Sequence, residues 1–333
     1  MNGQLRSLAA FCLALLPLVS ACSKDSPPPA AGAPRKVTLQ LNWKAEPEFG
    51  PFYAAEQAGH FQEQGLEVEL RQGGSGAPTT DLLATKQVAF AIVSGDQIVL
   101  SRAVGKKIVG IFAVYQKDPM CLMTPKTRGL HSLAELVHAP GTLAIERGMP
   151  FATWIEKTIG LGPALVVPSP YGDLKYLKGD PNYAMQAFAT SEPIAAKKAG
   201  LDVDVFLVAD AGFDPYQTIL AVHEDTLAGD PDLVLRMVKA VTSGWRDYLD
   251  DPATTNARMA TLNPTMDAAT FAAVAETQKA FVVSDATTSR GPDTMSLERW
   301  KQLVEQMTTS GVVRQPVDPA SCFRDPVELL AGK

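Results

Sequence analysis

Residues 41–70 read LNWKAEPEFGPFYAAEQAGHFQEQGLEVEL, and the order of residue types in this stretch decides the fold. The apolar run VTLQL at 37–41 leads into it as a strand. From Pro51 to Gly59 the spacing places Phe52 and Ala55 on one face of a helix, and LEVEL at 66–70 alternates as a second strand. Strand, helix and strand in so short a span form a βα repeat, the unit of a largely parallel sheet. Between the first strand and the helix, the loop sets an aromatic residue, Trp43, and two acids, Glu46 and Glu48, at the helix mouth.

Downstream the same alternation continues. Gly73-Gly74-Ser75-Gly76 leads into a helix with Pro78 in its first turn, where the missing N–H costs nothing. VAFAIV at 88–93 is a third strand. Ser94 with Gln97 three residues on forms a capping box for a helix that Gly105 stops. KIVGIFAVY at 107–115 is a fourth strand. A second set begins after Asp118-Pro119: CLMT, a capping box at Ser132 and Glu135, the strand GTLAIE, a helix from Pro150 to Gly160, ALVVP, a short helix near Tyr171, AMQAFAT, a helix after Ser191, and VDVFLVAD. YQTILAVH at 216–223 reads as a strand returning to the first set. Beyond it the pattern is purely helical, with Val234, Val238, Val241, Trp245 and Tyr248 in one stripe and Leu297, Trp300, Val304 and Met307 in another. Such stripes mark buried helix faces. The expected architecture is therefore α/β in two lobes, residues 36–118 with 216–333 as the first and 119–215 as the second, joined by a two-crossing hinge and finished by a helical C-terminal part.

Upstream, MNGQLRSLAAFCLALLPLVSAC has one basic residue, Arg6, then an apolar run from Leu8 to Val19 and small residues before Cys22. This is the layout of a signal peptide, expected over 1–21, with an apolar core too short to span a membrane. Val19-Ser20-Ala21-Cys22 resembles the bacterial lipobox, which implies lipidation at Cys22; the Pro/Ala/Gly-rich segment over 22–35 reads as a tether. Membrane contact is thus expected through an N-terminal lipid, and the location is the cell envelope. Removal of 1–21 takes away Arg6 and no acid, leaving 29 basic against 36 acidic residues. That balance offers no basic stripe for nucleic acid. About 300 residues exceed what one core organises, which fits two lobes.

Outside the signal region only Cys121 and Cys322 remain. Neither has a CxxC neighbour or a nearby histidine, so no metal or redox site and no cofactor is expected. In an oxidising envelope leftover thiols often pair, so a Cys121–Cys322 disulfide and two free thiols both stay open.

LNWKAEPEFGPFYAAEQAGHFQEQGLEVEL, GGSGAP, VAFAIVSGDQ, FATSEPIAAKKAG and ADAGFDPYQTILAV, taken in that order, resemble solute-binding proteins of ABC importers, in particular the thiamine-pyrimidine, nitrate and sulfonate-type group. The resemblance spans roughly residues 36–325. It implies a type II periplasmic-binding fold, capture of a small molecule by hinge closure, a monomer, and delivery to the transmembrane subunits of a permease. In open α/β sheets ligands sit beyond the carboxyl ends of strands. That rule selects Trp43, Glu46, Glu48, Phe49 and Tyr53 after the first strand, Gly74 and Ser75 after the second, and Ser94 and Asp96 after the third. It also selects Met149, Ser191, Glu192 and Tyr216 on the far side and at the return crossing. Planar rings stack, carboxylates accept from amino or hydroxyl groups, and glycines admit close backbone approach. Each acid also has the plainer reading of a solvated charge or a helix first-turn acid, Ser94 that of an N-cap, and Tyr216 that of hinge packing.

The acids beside Trp43, Phe49 and Tyr53 favour a flat, amine-bearing or hydroxyl-bearing nutrient such as a pyrimidine or thiamine precursor or a flavin. A sulfonate or nitrate-type anion is the alternative ligand, since helix N-termini hold anions. An envelope ligand-sensing domain is the alternative role. The fold has enzyme relatives that make the thiamine pyrimidine with histidines and a cysteine-rich run. The four histidines here, His60, His131, His138 and His223, come without a cysteine cluster, so no catalytic residue is expected.

Overall fold

The computed structural model describes residues 33–282 and 294–332. The expected signal peptide, Cys22 and most of the tether lie outside these residues. Among the described residues ten strands form two five-stranded sheets. The first holds β1 (Arg35–Gln40), β2 (Leu66–Arg71), β3 (Phe90–Val93), β4 (Ile108–Tyr115) and β10 (Gln217–His223), in the spatial order β2-β1-β3-β10-β4. The second holds β5 (Met120–Pro125), β6 (Thr142–Ala144), β7 (Leu165–Val167), β8 (Tyr183–Phe188) and β9 (Val203–Leu207), in the order β7-β6-β8-β5-β9.

Both sheets are mixed, where the sequence suggested largely parallel ones. β1 runs parallel to β2, with Val37 opposite Val68, and to β3, with Leu39 opposite Phe90. β10 runs antiparallel between β3 and β4, Ile219 facing Val93 on one side and Ala113 on the other. In the second sheet β5 is likewise antiparallel to β8 and β9. The physical reason is the route of the chain. β4 passes straight into β5 and the segment after β9 passes straight into β10, so each sheet receives a strand from its neighbour rather than through a helical crossover.

Burial follows how well each strand is covered rather than its place in the sheet order. FAIV of β3 and IVGIFAVY of β4 are buried throughout because helices cover both faces. LEVELR of β2, at the other edge from β4, has Leu66 buried and then alternates exposed with half-buried positions. The helix Pro231–Asp250 opens with Asp230 accepting the Leu233 N–H at 3.1 Å and a proline in its first turn. Its stripe, Val234, Val238, Val241, Trp245 and Tyr248, is buried as the periodicity predicted. It crosses the helix Gly50–Ala58 so closely that a Cβ on Gly244 would lie 2.3 Å from Pro51 O, a contact only glycine permits. In the helix Leu297–Thr309 the buried side chains are Trp300, Leu303 and Met307; Val304 is half-buried and Leu297, in the first turn, is exposed.

Two local expectations change. The helix begun at Pro150 widens into a π-turn over Ile155–Ile159. The short helix expected near Tyr171 lies at Lys175–Gly179, and Tyr171 itself sits in a turn with a left-handed φ of 48°. The disulfide that compartment chemistry left open is not made. Cys121 and Cys322 are both free and buried. Cys121 lies in β5 with its thiol donating to Ala187 O at 3.2 Å. Cys322 packs behind β4, where its carbonyl accepts the Gly110 N–H at 2.9 Å. No helix of the described residues is long and apolar enough to cross a membrane.

Candidate functional site

A cavity of about 320 Å³ opens where the carboxyl ends of strands from both sheets converge. From the first sheet it is lined by Asn42, Trp43, Glu46 and Glu48 after β1, the segment Gly74–Ala77 after β2, and Tyr115 at the end of β4. Gln97 reaches it from the helix that follows β3. From the second sheet come Glu146 and Met149 after β6, Ser169, Tyr171 and Gly172 after β7, and Gln186 to Phe188 with Thr190 to Glu192 at the end of β8.

The loop after β1 is held by its neighbours. Gln72 Oε1 accepts the Ala45 N–H at 2.8 Å, Asn263 donates to Ala45 O at 3.1 Å, and Gly73 N donates to Trp43 O at 2.9 Å. A Cβ on Gly73 would lie 2.4 Å from Leu41 O, so this approach of the two loops requires glycine. Trp43 Nε1 in turn donates to Glu46 Oε1 at 3.2 Å. Across the cavity the rings of Trp43 and Tyr171 stand 6.2 Å apart at 33°.

The electrostatics follow from enclosure. Burial, then the nearby Glu192 carboxyl, raise Glu46 to about 7 against the hydrogen bond from Trp43 and the charge of Lys44. Burial, then Glu46, raise Glu48 to about 8, opposed by the Thr218 hydroxyl, which donates to Glu48 Oε2 at 3.2 Å. Burial also pushes Glu192 up, although its Oε2 accepts the Phe188 N–H at 2.7 Å. The described lining has four carboxyls, Glu46, Glu48, Glu146 and Glu192, beside amides, hydroxyls and aromatic rings, and includes no lysine, arginine or histidine. A protonated carboxyl both donates and accepts a hydrogen bond, so the site at neutral pH can pair with edges that mix donors and acceptors. Its four carboxyls, when ionised, would repel an anion's charge. Asn42 Oδ1 is buried at the cavity wall without a hydrogen-bond partner among the described residues, one further acceptor on this side. Among the described residues no group of three or more His, Cys, Asp or Glu is arranged to hold a metal ion.

Of the residues chosen from sequence, the structure brings Trp43, Glu46, Glu48, Gly74, Ser75, Met149, Ser191 and Glu192 to the cavity. Five lie elsewhere. Phe49 and Tyr53 point into the core beneath the first sheet, because the helix they begin packs its apolar face there. Ser94 and Asp96 satisfy each other: the serine hydroxyl donates to Asp96, whose carboxylate accepts the Gln97 N–H at 2.8 Å. Tyr216 packs on Trp300, lies 3.9 Å beneath the Arg299 guanidinium, and accepts the Ser296 N–H at 3.0 Å. The sequence reading missed Asn42, Gln97, Tyr115, Glu146, Tyr171 and Gln186. Glu146 ends GTLAIE and was within reach of the strand-end rule. Tyr171 was not, because its position depends on a left-handed turn that its own residue type does not announce.

With this geometry in place, the chain can be set beside known proteins. The family described as "NMT1/THI5 like" matches residues 46–255. The "Riboflavin-binding protein RibY" of Chloroflexus aurantiacus is 25% identical over 356 aligned positions, covering 99% of each chain. The "4-amino-5-hydroxymethyl-2-methylpyrimidine phosphate synthase" of Schizosaccharomyces pombe is 20% identical over 238 positions, 66% of this chain and 67% of that one. Among solved structures, the periplasmic aliphatic sulphonate binding protein SsuA of Escherichia coli superposes with a TM-score of 0.64 at 11% identity, over 86% of this chain and 91% of its own. The two mixed sheets are those of the periplasmic-binding fold.

Proposed function

This chain belongs to the NMT1/THI5-like family, and from that premise we propose that it is the solute-binding component of an ABC importer, working outside the cytoplasm and tethered by a lipid on Cys22. Its ligand is a flat heterocycle rich in hydrogen-bond donors, of the aminopyrimidine or flavin class. Residues 119–215 close over it against residues 36–118 and 216–333, and the transmembrane subunits of the importer receive it. The protein releases it unchanged.

The observation that carries this reading is the lining: carboxyls held near neutrality by burial, beside the Trp43 and Tyr171 rings and without a cation. A ring between two aromatic faces needs contacts of about 3.5 Å on each side, near 7 Å in all. The present separation of 6.2 Å therefore asks for a small opening of the jaws. A cavity of about 320 Å³ suits one single or fused ring system.

The deciding experiment is equilibrium binding of riboflavin, 4-amino-5-hydroxymethyl-2-methylpyrimidine, an alkanesulfonate and nitrate to the purified chain, with chromatography of the ligand recovered afterwards. Binding of a heterocycle, recovered intact, is the expected result. Selective binding of the anions would defeat the ligand assignment, and recovery of an altered compound would defeat the binding role. For the tether, Cys22→Ala should move the protein from the membrane to the soluble envelope fraction.

A further inference from the structure

Between the cavity and the two places where the chain crosses from sheet to sheet runs a line of buried and half-buried polar side chains. It starts at Glu48, which faces the cavity. Thr218 donates its hydroxyl to Glu48 Oε2 at 3.2 Å and its backbone N–H to Gln217 Oε1 at 3.2 Å. Gln217 Nε2 donates to Asp118 Oδ1 at 3.3 Å, and that same oxygen accepts the Met120 N–H at 2.9 Å. Asp118 N donates to Asp214 Oδ1 at 2.7 Å, and Arg299 donates to the other oxygen of Asp214 at 3.3 Å. The line thus links the cavity to the return crossing at 214–218 and to the outward crossing at 117–119.

The member next to Glu48 is unusual in backbone as well as in bonding. Thr218 lies inside β10 with φ at +52°, in the left-handed region that a β-branched residue rarely enters. A strained conformation of this kind persists only where its surroundings hold it. Here the hydroxyl and the amide are both committed, one to the cavity acid and the other to the link toward Asp118, and the residue is almost wholly buried. If Glu48 turns toward a ligand, the anchor that holds Thr218 in place is loosened, and the return to an ordinary strand conformation would shift Gln217 and Asp118 with it.

We propose that Thr218 is a positioning residue: it aims the Glu48 carboxyl into the cavity and transmits a change at that carboxyl to both crossings. The ligand part of this statement rests on the binding reading above; the mechanical part does not.

The test uses the full chain with Thr218→Val, which keeps the branched shape and removes the hydroxyl, and Thr218→Ser, which keeps the hydroxyl. Amide hydrogen exchange is followed at 117–120 and 214–218, with Ile92 in β3 as the internal reference, and riboflavin and 4-amino-5-hydroxymethyl-2-methylpyrimidine serve as probes. In the empty protein Thr218→Val should speed exchange at both crossings about tenfold relative to Ile92, while Thr218→Ser stays within about threefold of the parent. Whichever probe binds the parent should bind Thr218→Val about tenfold more weakly and Thr218→Ser nearly normally. Unchanged exchange at 117–120 in Thr218→Val overturns the proposal, as does equal loss in both variants. If neither probe binds the parent, the binding reading fails and the exchange comparison alone decides the link. Should Thr218→Val not fold, Thr218→Gly, which removes the hydroxyl and relieves the left-handed strain together, takes its place with the same expected exchange.

Discussion

The loop after β1 and the loop after β7 meet across the cavity through Trp43 and Tyr171, and they are held in opposite ways. The first is bonded to other elements: to Gln72 after β2, to Asn263 in the helical C-terminal part, and through the close approach of Gly73 to Leu41. The second is bonded within itself, Tyr171 N to Ser169 Oγ at 3.3 Å and Asp173 N to Pro170 O at 3.2 Å, and Tyr171 and Gly172 are successive left-handed residues. β7, which feeds it, is a three-residue edge strand whose Leu165 is 66% exposed. One wall is set by long-range packing and the other by local turns, the condition under which a segment opens at low free-energy cost. A site so built has its acids and its tryptophan pre-arranged, which limits the ordering cost of binding, and leaves adjustment to the tyrosine side.

The largest expected effect breaks the fixed wall. Gly73→Ala forces a Cβ against Leu41 O and should cost about 3 kcal/mol of stability, at the upper end for an overpacked site. The midpoint and slope of urea unfolding would measure it, and a loss under about 1 kcal/mol would mean that this wall yields as the other does.

Next comes pH, which probes the acids that the fixed wall holds. Glu48 ionises near 4.5 when free and near 8 in the fold, facing Glu46, Glu192 and the Thr218 hydroxyl, with Lys44 acting on Glu46. An acid that keeps its proton longer in the fold lets the unfolded chain gain with each step of pH between those two values. The empty protein should therefore lose stability from about pH 4.5 to 8 through Glu46 and Glu48 together. Glu48→Gln should recover about 2 kcal/mol of it at pH 8 and almost none at pH 4.5, given about 1.4 kcal/mol per pKa unit and partial contact with cavity solvent. Parallel slopes for parent and variant across that range would remove Glu48 from the account.

The smallest effect sharpens the comparison of the two jaws. Trp43→Ala should weaken binding of the heterocycle found in the screen by about 1.5 kcal/mol, in the range of base stacking on aromatic residues. Tyr171→Ala should cost about 0.5–1 kcal/mol less than that, because a mobile ring gives back part of its stacking as ordering entropy. Titration calorimetry on both variants reads the difference, and a larger loss at Tyr171 would reverse the assignment of fixed and adjustable walls.

The βα order of residues 37–115 was legible because each strand and helix carries its own period, and the return strand at 216–223 because its apolar run stands alone between loops. The antiparallel placement of β10 was not, since no residue within QTILAVH records which strands flank it. The strand-end rule found Trp43, Glu46, Glu48 and Glu192, whose loops point where the strands point. It failed at Ser94 and Asp96, where the acid and the hydroxyl use each other up, and at Phe49 and Tyr53, where one turn of helix carries the rings past the cavity into the core.

The two buried thiols have a bearing on how the chain can be handled and how it matures. With Cys121 and Cys322 unbonded inside apolar layers, no disulfide joins the described residues, and their fold is reached without an oxidation step. Burial also raises both thiols, Cys322 to about 12, so almost no thiolate is present in the folded state. A thiol-reactive dye would then reach Cys121 and Cys322 only in molecules that have opened, and their labelling would act as a clock for unfolding.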